Sequence, residues 1–132
     1  IIRQAISPRL IIIMDLIEYL GIKSIISSKD KVILSLNVTD KVQQPFGVLH
    51  GGINSVLAET AASIGANLNL SHGHAVGVNI STNHLKSVTS GKLTVEATPL
   101  RIGKKIQVWQ ANTFDDKNNL TSNSTITLTN IN

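Results

Sequence analysis

Cysteine is absent from this chain of 132 residues, and aromatic residues make up only 3% of it. Without cysteine the protein has no disulfide bond, no thiolate metal site and no cysteine nucleophile. With so few rings it also lacks the exposed aromatic platform on which single-stranded nucleic acids stack. These absences exclude sulfur-based catalysis and argue against a nucleic-acid-binding protein.

Long hydrophobic runs are missing as well. The run Leu10–Met14 is only five residues long, too short for a membrane span or for the core of a signal peptide. We therefore predict a cytoplasmic protein that does not bind membranes. Charged residues are sparse, at 15%, and the net charge of +4 is spread along the chain, which suits a small anionic ligand. With 42% hydrophobic residues, the chain is predicted to form a single domain over residues 1–132.

The spacing of apolar residues predicts two helices and six strands. The first helix follows Ser7 and Pro8 and stops before Gly21, since serine caps a helix, proline fits its first turn and glycine ends it. The second runs from Gly51 to about Leu68, and its small residues allow close packing. The predicted strands are Ile22–Ser28, Lys31–Asp40, Val76–Ser87, Lys92–Ile102, Lys105–Phe114 and Leu120–Asn130.

The order of these elements indicates the fold class. Short turn signals, such as the one at Thr89, Ser90 and Gly91, separate the last four strands. Nothing in the chain supplies the alternating helices that parallel strands need. The predicted class is therefore α+β, with an antiparallel sheet and one long helix lying against it.

The most informative segment is Gln44–Ser63, which reads QPFGVLHGGINSVLAETAAS. A His-Gly-Gly turn opens the second helix, where glycines leave backbone N–H groups approachable and the helix dipole favours negative charge. Such groups stabilise a carbonyl oxygen as it becomes an oxyanion. Two turns later Glu59 lies among apolar residues, where we expect it to be buried, in a polar stripe with Ser55 and Ser63. The pattern predicts acyl-transfer chemistry.

Three segments, taken in order, resemble a known family. They are QPFGVLHGG with the following LAE, NHLKS after the third strand, and PLRIGKKIQVWQ. Together they resemble the hotdog-fold acyl-CoA thioesterases of the phenylacetate-degradation type, most of all the branch that hydrolyses 4-hydroxybenzoyl-CoA and 1,4-dihydroxy-2-naphthoyl-CoA. The resemblance covers nearly the whole domain, from near Lys41 to the last strand. It implies the hotdog fold, in which an antiparallel sheet wraps around a long central helix.

The resemblance also implies roles at the reaction centre. Glu59 would be the catalytic carboxylate, acting as nucleophile or as general base on water. The Gly51 N–H and the Gln44 amide would bind the thioester carbonyl, while His50 would help to orient that region. Ser63 would position water or the carboxylate. In this family Glu59 and Ser63 come from one subunit and Gln44 and Gly51 from the other, which implies a homodimer with shared active sites, commonly paired into a homotetramer.

For the coenzyme A part of the substrate, the resemblance points to a strand end and to a facing turn. Cationic side chains and open backbone at such places suit the phosphates of CoA. CoA is then part of the substrate, and no separate cofactor is expected. The strand-end residues are His84, Lys86 and Ser87, and the turn residues are Arg101, Gly103 and Lys104.

The same residues also allow purely structural interpretations. Glu59 taken alone also fits one half of a structural ion pair, and Lys104 with Lys105 also fits a solvated turn. His72 and His74 lack a third ligand at useful spacing, so no metal site is predicted.

Two other functions of the same fold also remain open. A non-catalytic acyl-CoA sensor would bind the thioester without cleaving it, although the chain lacks the helix-turn-helix pair that such proteins carry. A hydratase would pair a histidine with a carboxylate, but His50 lies nine residues before Glu59 and that subfamily's loop sequence is missing. The predicted reaction is hydrolysis of an aryl-CoA, with 1,4-dihydroxy-2-naphthoyl-CoA of menaquinone synthesis as first choice. Medium-chain and phenylacetyl-CoA esters are the alternative.

Overall fold

A computed structural model of the chain describes residues 14–132. Its first helix, α1 (Leu16–Leu20), begins after Asp15, whose carboxylate accepts a hydrogen bond from the Glu18 N–H at 2.9 Å. It ends at Gly21, which has a left-handed backbone with φ of 75°, so the predicted stop is confirmed. The predicted start at Ser7 lies outside the described residues. A helix continuous from there is wrong, because Asp15 is extended with ψ of 176°.

Within residues 14–132, six strands form one antiparallel sheet beside a long helix. In chain order these elements are β1 (Lys23–Ser27), β2 (Val32–Asn37), α2 (Gly51–Leu68), β3 (His74–His84), β4 (Lys92–Ile102), β5 (Ile106–Phe114) and β6 (Leu120–Ile131). The strands lie side by side in the order β1-β2-β4-β5-β6-β3, and all neighbours are antiparallel. The predicted α+β class is confirmed, and the boundaries of the six strands and of α2 agree with the predicted ones to within about three residues.

The core lies between α2 and the sheet, and small residues of the helix let the two approach closely. Ala58, Ala61 and Ala66 are fully buried, as is Trp109 on β5. At Gly65 the Trp109 ring lies so near the backbone that a β-carbon there would overlap it. This close packing fixes the height of α2 above the sheet.

One edge of the sheet runs alongside α2. It is β3, which is hydrogen-bonded to β6 on one side only. Its Val76 and Val78 side chains are 41% and 57% exposed, and a shift of register between Gly77 and Asn79 marks a β-bulge. An unpaired edge with exposed apolar side chains is a surface to which a further strand can add.

Candidate active site

α2 begins at two glycines, and its first N–H group has no partner. His50 is the N-cap: its Nδ1 accepts a hydrogen bond from the Gly52 N–H at 2.8 Å, and its carbonyl accepts one from Ile53 at 3.0 Å. Nothing in residues 14–132 accepts a hydrogen bond from the Gly51 N–H. Because the positive end of the helix dipole lies here, this N–H is available to a carbonyl oxygen or an oxyanion. The role of His50 in orienting the region stays a prediction.

Glu59 lies eight residues further along α2, where the helix faces β3. Its Oε2 lies over the backbone of Gly77, so closely that any β-carbon on Gly77 would overlap it. The carboxylate forms no hydrogen bond or ion pair with any residue from 14 to 132. The prediction that Glu59 is buried is wrong for a single chain, in which it is exposed, because β3 is the last strand of the sheet.

The polar stripe on α2 divides into residues with different partners. The Ser55 hydroxyl donates to Thr82 Oγ1 on β3 at 2.9 Å, and that oxygen lies 2.8 Å from Ser124 Oγ on β6. The Ser63 hydroxyl has no hydrogen-bond partner in the described part of the chain, and Glu59 is therefore not bonded to it. Ser55 thus fastens the helix to the sheet, whereas Ser63 and Glu59 remain available to a ligand.

Gln44 lies in the loop before α2, in a turn closed by its own backbone. Its N–H donates to the Val48 carbonyl at 2.8 Å, and its carbonyl accepts from the Gly47 N–H at 3.0 Å. The side-chain oxygen of Gln44 accepts a hydrogen bond from the Phe46 N–H. This leaves the side-chain NH₂ of Gln44 without a partner within the described residues, so it is a second potential donor near the start of α2.

His84, the last residue of β3, lies against the start of α2. A β-carbon on Gly51 would be 2.9 Å from His84 Nε2, so a side chain there would displace the ring from its observed position. Both residues line a cleft of about 360 Å³, together with Leu49, Asn54, Leu85, Lys86, Ser87 and Val88. The structure therefore brings the predicted CoA residues His84, Lys86 and Ser87 to the same cleft as Gly51.

The lysine of this cleft already has an ionic partner. Lys86 Nζ lies 3.1 Å from Asp115 Oδ2. Asp115 also accepts hydrogen bonds from the Asn119 N–H, the Asn119 side chain and the Lys117 N–H. These contacts, with the Asn119 N–H foremost, hold the pKa of Asp115 well below its usual range. Lys86 is thus held in place by a carboxylate that stays ionised.

The remaining predicted CoA residues lie at the other end of α2. Gly103 and Lys104 line a second cleft, of about 560 Å³, with Asn69 and His72 beyond the end of the helix. Because α2 has 18 residues, this end is about 27 Å from the first at 1.5 Å per residue. Arg101 lies in the same part of β4. Within one chain, this turn does not face the strand end at His84.

Comparison with known proteins identifies the family. Residues 46–122 match the family model described as the thioesterase superfamily. The chain belongs to this superfamily. It is 44% identical to the 1,4-dihydroxy-2-naphthoyl-CoA hydrolase of Listeria monocytogenes, over 81% of this chain and 88% of that protein. The crystal structure of a thioesterase from Haemophilus influenzae aligns with a TM-score of 0.84 and 42% identity, over 88% of this chain and 82% of that one.

A third relative is a thioesterase from Staphylococcus aureus, solved as two alanine variants. One structure has a glutamate replaced by alanine, and the other has a glutamine replaced by alanine. The glutamine precedes the glutamate by fifteen residues in that protein. Both are 34% identical to this chain, with TM-scores of 0.84 and 0.83, and they cover 87% and 86% of it. The alignments include 97% and 96% of those chains.

Membership of the superfamily confirms the family and the hotdog fold that the sequence motifs predicted. It also confirms that the protein is an enzyme and that its reaction is thioester hydrolysis. The free N–H at Gly51 and the free carboxylate of Glu59 are of the kinds that this chemistry uses, since a thioester needs a donor for its oxygen and a base or nucleophile for its carbon.

Sequence reasoning missed two residues that shape the candidate site of this thioesterase. Asn54 is only 4% exposed and lies one turn after Gly51; an amide in the first turn of a helix of mostly small and apolar residues was the available signal. Gly77 leaves the space in which the Glu59 carboxylate lies, because it has no β-carbon. A glycine inside a predicted strand often marks a close approach to the backbone, and that signal was also present.

Two further observations concern the described residues alone. His72 and His74 belong to no group of three potential metal ligands there, and His72 Nδ1 lies 3.2 Å from Ser71 Oγ instead. None of the helices in this part of the chain is both long and apolar enough to cross a membrane.

Proposed function

We propose that this thioesterase hydrolyses an aromatic acyl-CoA, with 1,4-dihydroxy-2-naphthoyl-CoA as the first candidate, to the free acid and CoA. One observation carries the reaction: a free N–H and a free carboxylate, those of Gly51 and Glu59, lie on one helix. The aromatic acyl group is supported by the Listeria relative, whose name states that substrate. In the Staphylococcus aureus relative the altered glutamine and glutamate have the same spacing as Gln44 and Glu59, which supports their roles.

The geometry of α2 supports a site shared between two chains. Gly51 and Glu59 are about 12 Å apart along the helix axis at 1.5 Å per residue, whereas a reacting carbonyl must lie within about 3.5 Å of the attacking atom. A single chain therefore does not place both groups on one thioester. An antiparallel second copy would bring its own Gly51 opposite Glu59.

The exposed edge of β3 is the surface on which we propose that this second copy binds. Two β3 strands would pair in antiparallel orientation, cover Val76 and Val78, and bury Glu59 beside the new interface. This explains why the carboxylate is exposed in one chain although it lies on an otherwise well-packed helix. We propose that such homodimers associate further into a homotetramer, as the family resemblance implies.

In this arrangement the thioester oxygen accepts hydrogen bonds from the Gly51 N–H and the Gln44 amide of one chain. Glu59 of the other chain either attacks the carbonyl carbon or takes a proton from a water molecule that attacks it, with Ser63 positioning that water. The tetrahedral oxyanion then collapses, the carbon–sulfur bond breaks, and CoA leaves and is protonated to the thiol. In the nucleophilic route, water subsequently cleaves the mixed anhydride on Glu59 and restores its carboxylate.

The antiparallel pairing also suggests how CoA is held. It would place the second cleft of one chain, lined by Gly103 and Lys104, and the nearby Arg101 of β4 close to the first cleft of the partner. The cationic side chains of both clefts would then face the phosphates of CoA. CoA enters as part of the substrate, so the proposal requires no separate cofactor.

Release of CoA from a panel of thioesters, followed with a thiol reagent, tests the substrate class. The protein adds no background because it has no cysteine. We expect kcat/KM to be highest for the naphthoyl and hydroxybenzoyl esters and lower for phenylacetyl and medium-chain esters. Preference for an aliphatic ester would contradict the aromatic assignment. Tight binding without thiol release would indicate a sensor, and hydration of crotonyl-CoA would indicate a hydratase.

Two measurements test the rest of the proposal. Sedimentation at assay concentrations should give a dimer or a tetramer, and a fully active monomer would contradict the shared site. Single turnover in ¹⁸O-labelled water tests the nucleophilic role of Glu59. Label found in the Glu59 carboxylate indicates the nucleophilic route with water attacking the Glu59 carbon of the anhydride, whereas label found only in the product acid indicates that water attacked the acyl carbon, either directly or in the anhydride.

A further inference from the structure

Asn54 is a buried amide whose two ends are both engaged. It lies in the first turn of α2 and is 4% exposed. Its Nδ2 lies 3.1 Å from His84 Nδ1, and its Oδ1 lies 3.5 Å from Thr113 Oγ1. Because an asparagine amide donates only through nitrogen and accepts only through oxygen, its orientation decides which His84 nitrogen carries the proton.

A fully buried group of hydroxyls lies behind Asn54 and contacts its side-chain oxygen. Thr113 Oγ1 lies 2.7 Å from Thr121 Oγ1 and 2.5 Å from Ser122 Oγ, and all three residues are inaccessible to solvent. A hydroxyl donates one hydrogen bond and accepts two. In the structure Thr113 donates to Asn54 Oδ1, so it accepts from its two neighbours, and the Asn54 NH₂ group faces His84.

This arrangement determines the tautomer of His84. If Asn54 Nδ2 donates to Nδ1, then Nδ1 is the unprotonated nitrogen of the neutral ring and Nε2 carries the hydrogen. Nε2 is also the ring atom that lies nearest to Gly51, 2.9 Å from where a β-carbon would be. The Nε2–H group and the free Gly51 N–H thus border the same cleft.

We infer that Asn54 is a positioning residue, which holds His84 with its Nε2–H directed into this cleft as an additional donor to the thioester oxygen. The inference rests on the proposed function, because the acceptor is the thioester of that reaction. It gives His84 a place at the reacting carbonyl, in addition to the predicted contact with CoA. The polar network of Asn54 and the buried hydroxyls behind it then has a role in catalysis as well as in stability, because it keeps the proton of the His84 ring on Nε2.

The first test needs no variant. The imidazole nitrogens of a neutral histidine have distinct ¹⁵N chemical shifts, so long-range ¹H–¹⁵N spectra of the whole protein assign the tautomer of His84. We expect the proton on Nε2, and we expect Asn54→Leu, which has similar volume but no amide, to reduce that preference. A neutral His84 with its proton on Nδ1 would overturn the inference, whatever the enzyme's activity.

The second test is kinetic. Loss of an oxyanion donor typically costs a hundredfold or more, so Asn54→Leu, which leaves the ring present but poorly oriented, should lower kcat at least about tenfold with little change in KM. Asn112→Leu is the matched control: it removes an amide that bonds Asn123 at 2.7 Å, and the neighbouring position on β5 places it on the opposite face of the sheet. Its kcat should stay within about twofold of the unmodified enzyme. An Asn54→Leu effect on KM alone, or no larger than that of Asn112→Leu, would overturn the inference.

Two substitutions of His84 sharpen the result. The amide nitrogen of glutamine reaches approximately where Nε2 lies, whereas that of asparagine reaches only the Nδ1 position. We expect His84→Gln to retain more of the kcat than His84→Asn, and the reverse order would contradict donation from Nε2. If no thioester were hydrolysed by the unmodified protein, the proposed function would fail, while the tautomer measurement would still decide the role of Asn54.

Discussion

The two ends of α2 differ in how their backbone groups are satisfied. At the C-terminal end, amide side chains bind the last carbonyls: Asn67 donates to Ser63 at 2.8 Å, Asn69 to Gly65 at 2.9 Å, and Gln107 of β5 to Ala66 at 3.0 Å. At the N-terminal end the Gly51 N–H has no partner among residues 14–132. We call the C-terminal end of α2 the closed end, because side chains bind its carbonyls, and the N-terminal end the open end, because the Gly51 N–H is unpaired among the described residues.

On the proposed function, the open backbone, and not the larger cavity, marks the site. The cleft at the closed end is about 560 Å³ and the cleft at the open end about 360 Å³. A helix end buried without partners is costly, so a protein leaves such groups open where a ligand binds them. On this account, changes near the open end reduce activity, and changes at the closed end reduce stability.

The largest effect is expected at Glu59, on the side of α2 that faces β3. Glu59→Gln keeps the shape but removes the nucleophile and base, so kcat/KM should fall about a thousandfold or more. The melting temperature should not fall, because the carboxylate has no partner in the described chain. Thiol release and thermal unfolding measure the two quantities. A clear loss of stability with activity retained would instead identify Glu59 as part of a structural ion pair.

Two glycines give the next comparison. Gly77→Ala places a methyl group where the Glu59 carboxylate lies, and we expect a loss of kcat of about ten- to a hundredfold, because the reacting atom is displaced. Stability should change little, since Glu59 is exposed and able to move aside. Its control is Gly65→Ala, which forces a methyl group against the buried Trp109 ring.

Gly65→Ala should cost about 1–3 kcal/mol of unfolding free energy by overpacking. Its kcat, measured well below the melting temperature, should remain near that of the unmodified enzyme. If the two variants instead showed equal losses of activity, the distinction between the open and closed regions of α2 would not hold.

A third variant tests the closed end directly. Gln107 is fully buried, donates to the Ala66 carbonyl, and accepts from Trp109 Nε1 at 3.0 Å. Gln107→Leu leaves the Trp109 Nε1–H unpaired in the core, which should cost about 1–3 kcal/mol, whereas the Ala66 carbonyl keeps its hydrogen bond from the Asn69 N–H at 3.1 Å. Urea unfolding measures this loss, while kcat on the folded fraction should be unchanged. A fall in kcat without a fall in stability would place the closed end in the reaction.

The smallest effect concerns Asp115, the carboxylate that holds Lys86 near the open end. Its pKa in the folded protein lies below the ordinary value of 3.8, so its ionised form favours folding above that pH. This contribution is lost as the pH falls through the lower, folded pKa. Asp115→Asn should therefore be less stable than the unmodified protein near pH 6, and the difference should shrink towards pH 2. A difference that stays constant over this range would exclude the ionised carboxylate as its cause.

Much of the fold could be predicted because its signals are local. The start of α2 at Gly51 follows from the His-Gly-Gly turn, and the strands follow from apolar runs between turn residues. The exposure of Glu59 was not predictable in this way, because it depends on β3 being the edge of the sheet, next to the last strand of the chain. The contact of Asn54 with His84 joins residues thirty positions apart, which periodicity does not reveal.

The same limit applies to the predicted CoA residues. The turn at Gly103 and the strand end at His84 both carry the right residue types, but the antiparallel sheet places them at opposite ends of α2. Only the arrangement of strands separates them within one chain. On the proposed function a second chain brings these groups together, and the sequence of one chain does not reveal how two copies pair.

Complementation between two inactive variants tests this account most directly. The Glu59→Gln and Gln44→Ala variants are purified separately and then mixed under mild conditions that allow their subunits to exchange. The mixture is assayed for thiol release. If the site is shared between chains of a symmetric dimer, half of the dimers are mixed, each has one intact site, and about a quarter of full activity returns. Exchanged dimers that stay as inactive as their parents would contradict the shared site and, with it, the role given to the open end of α2.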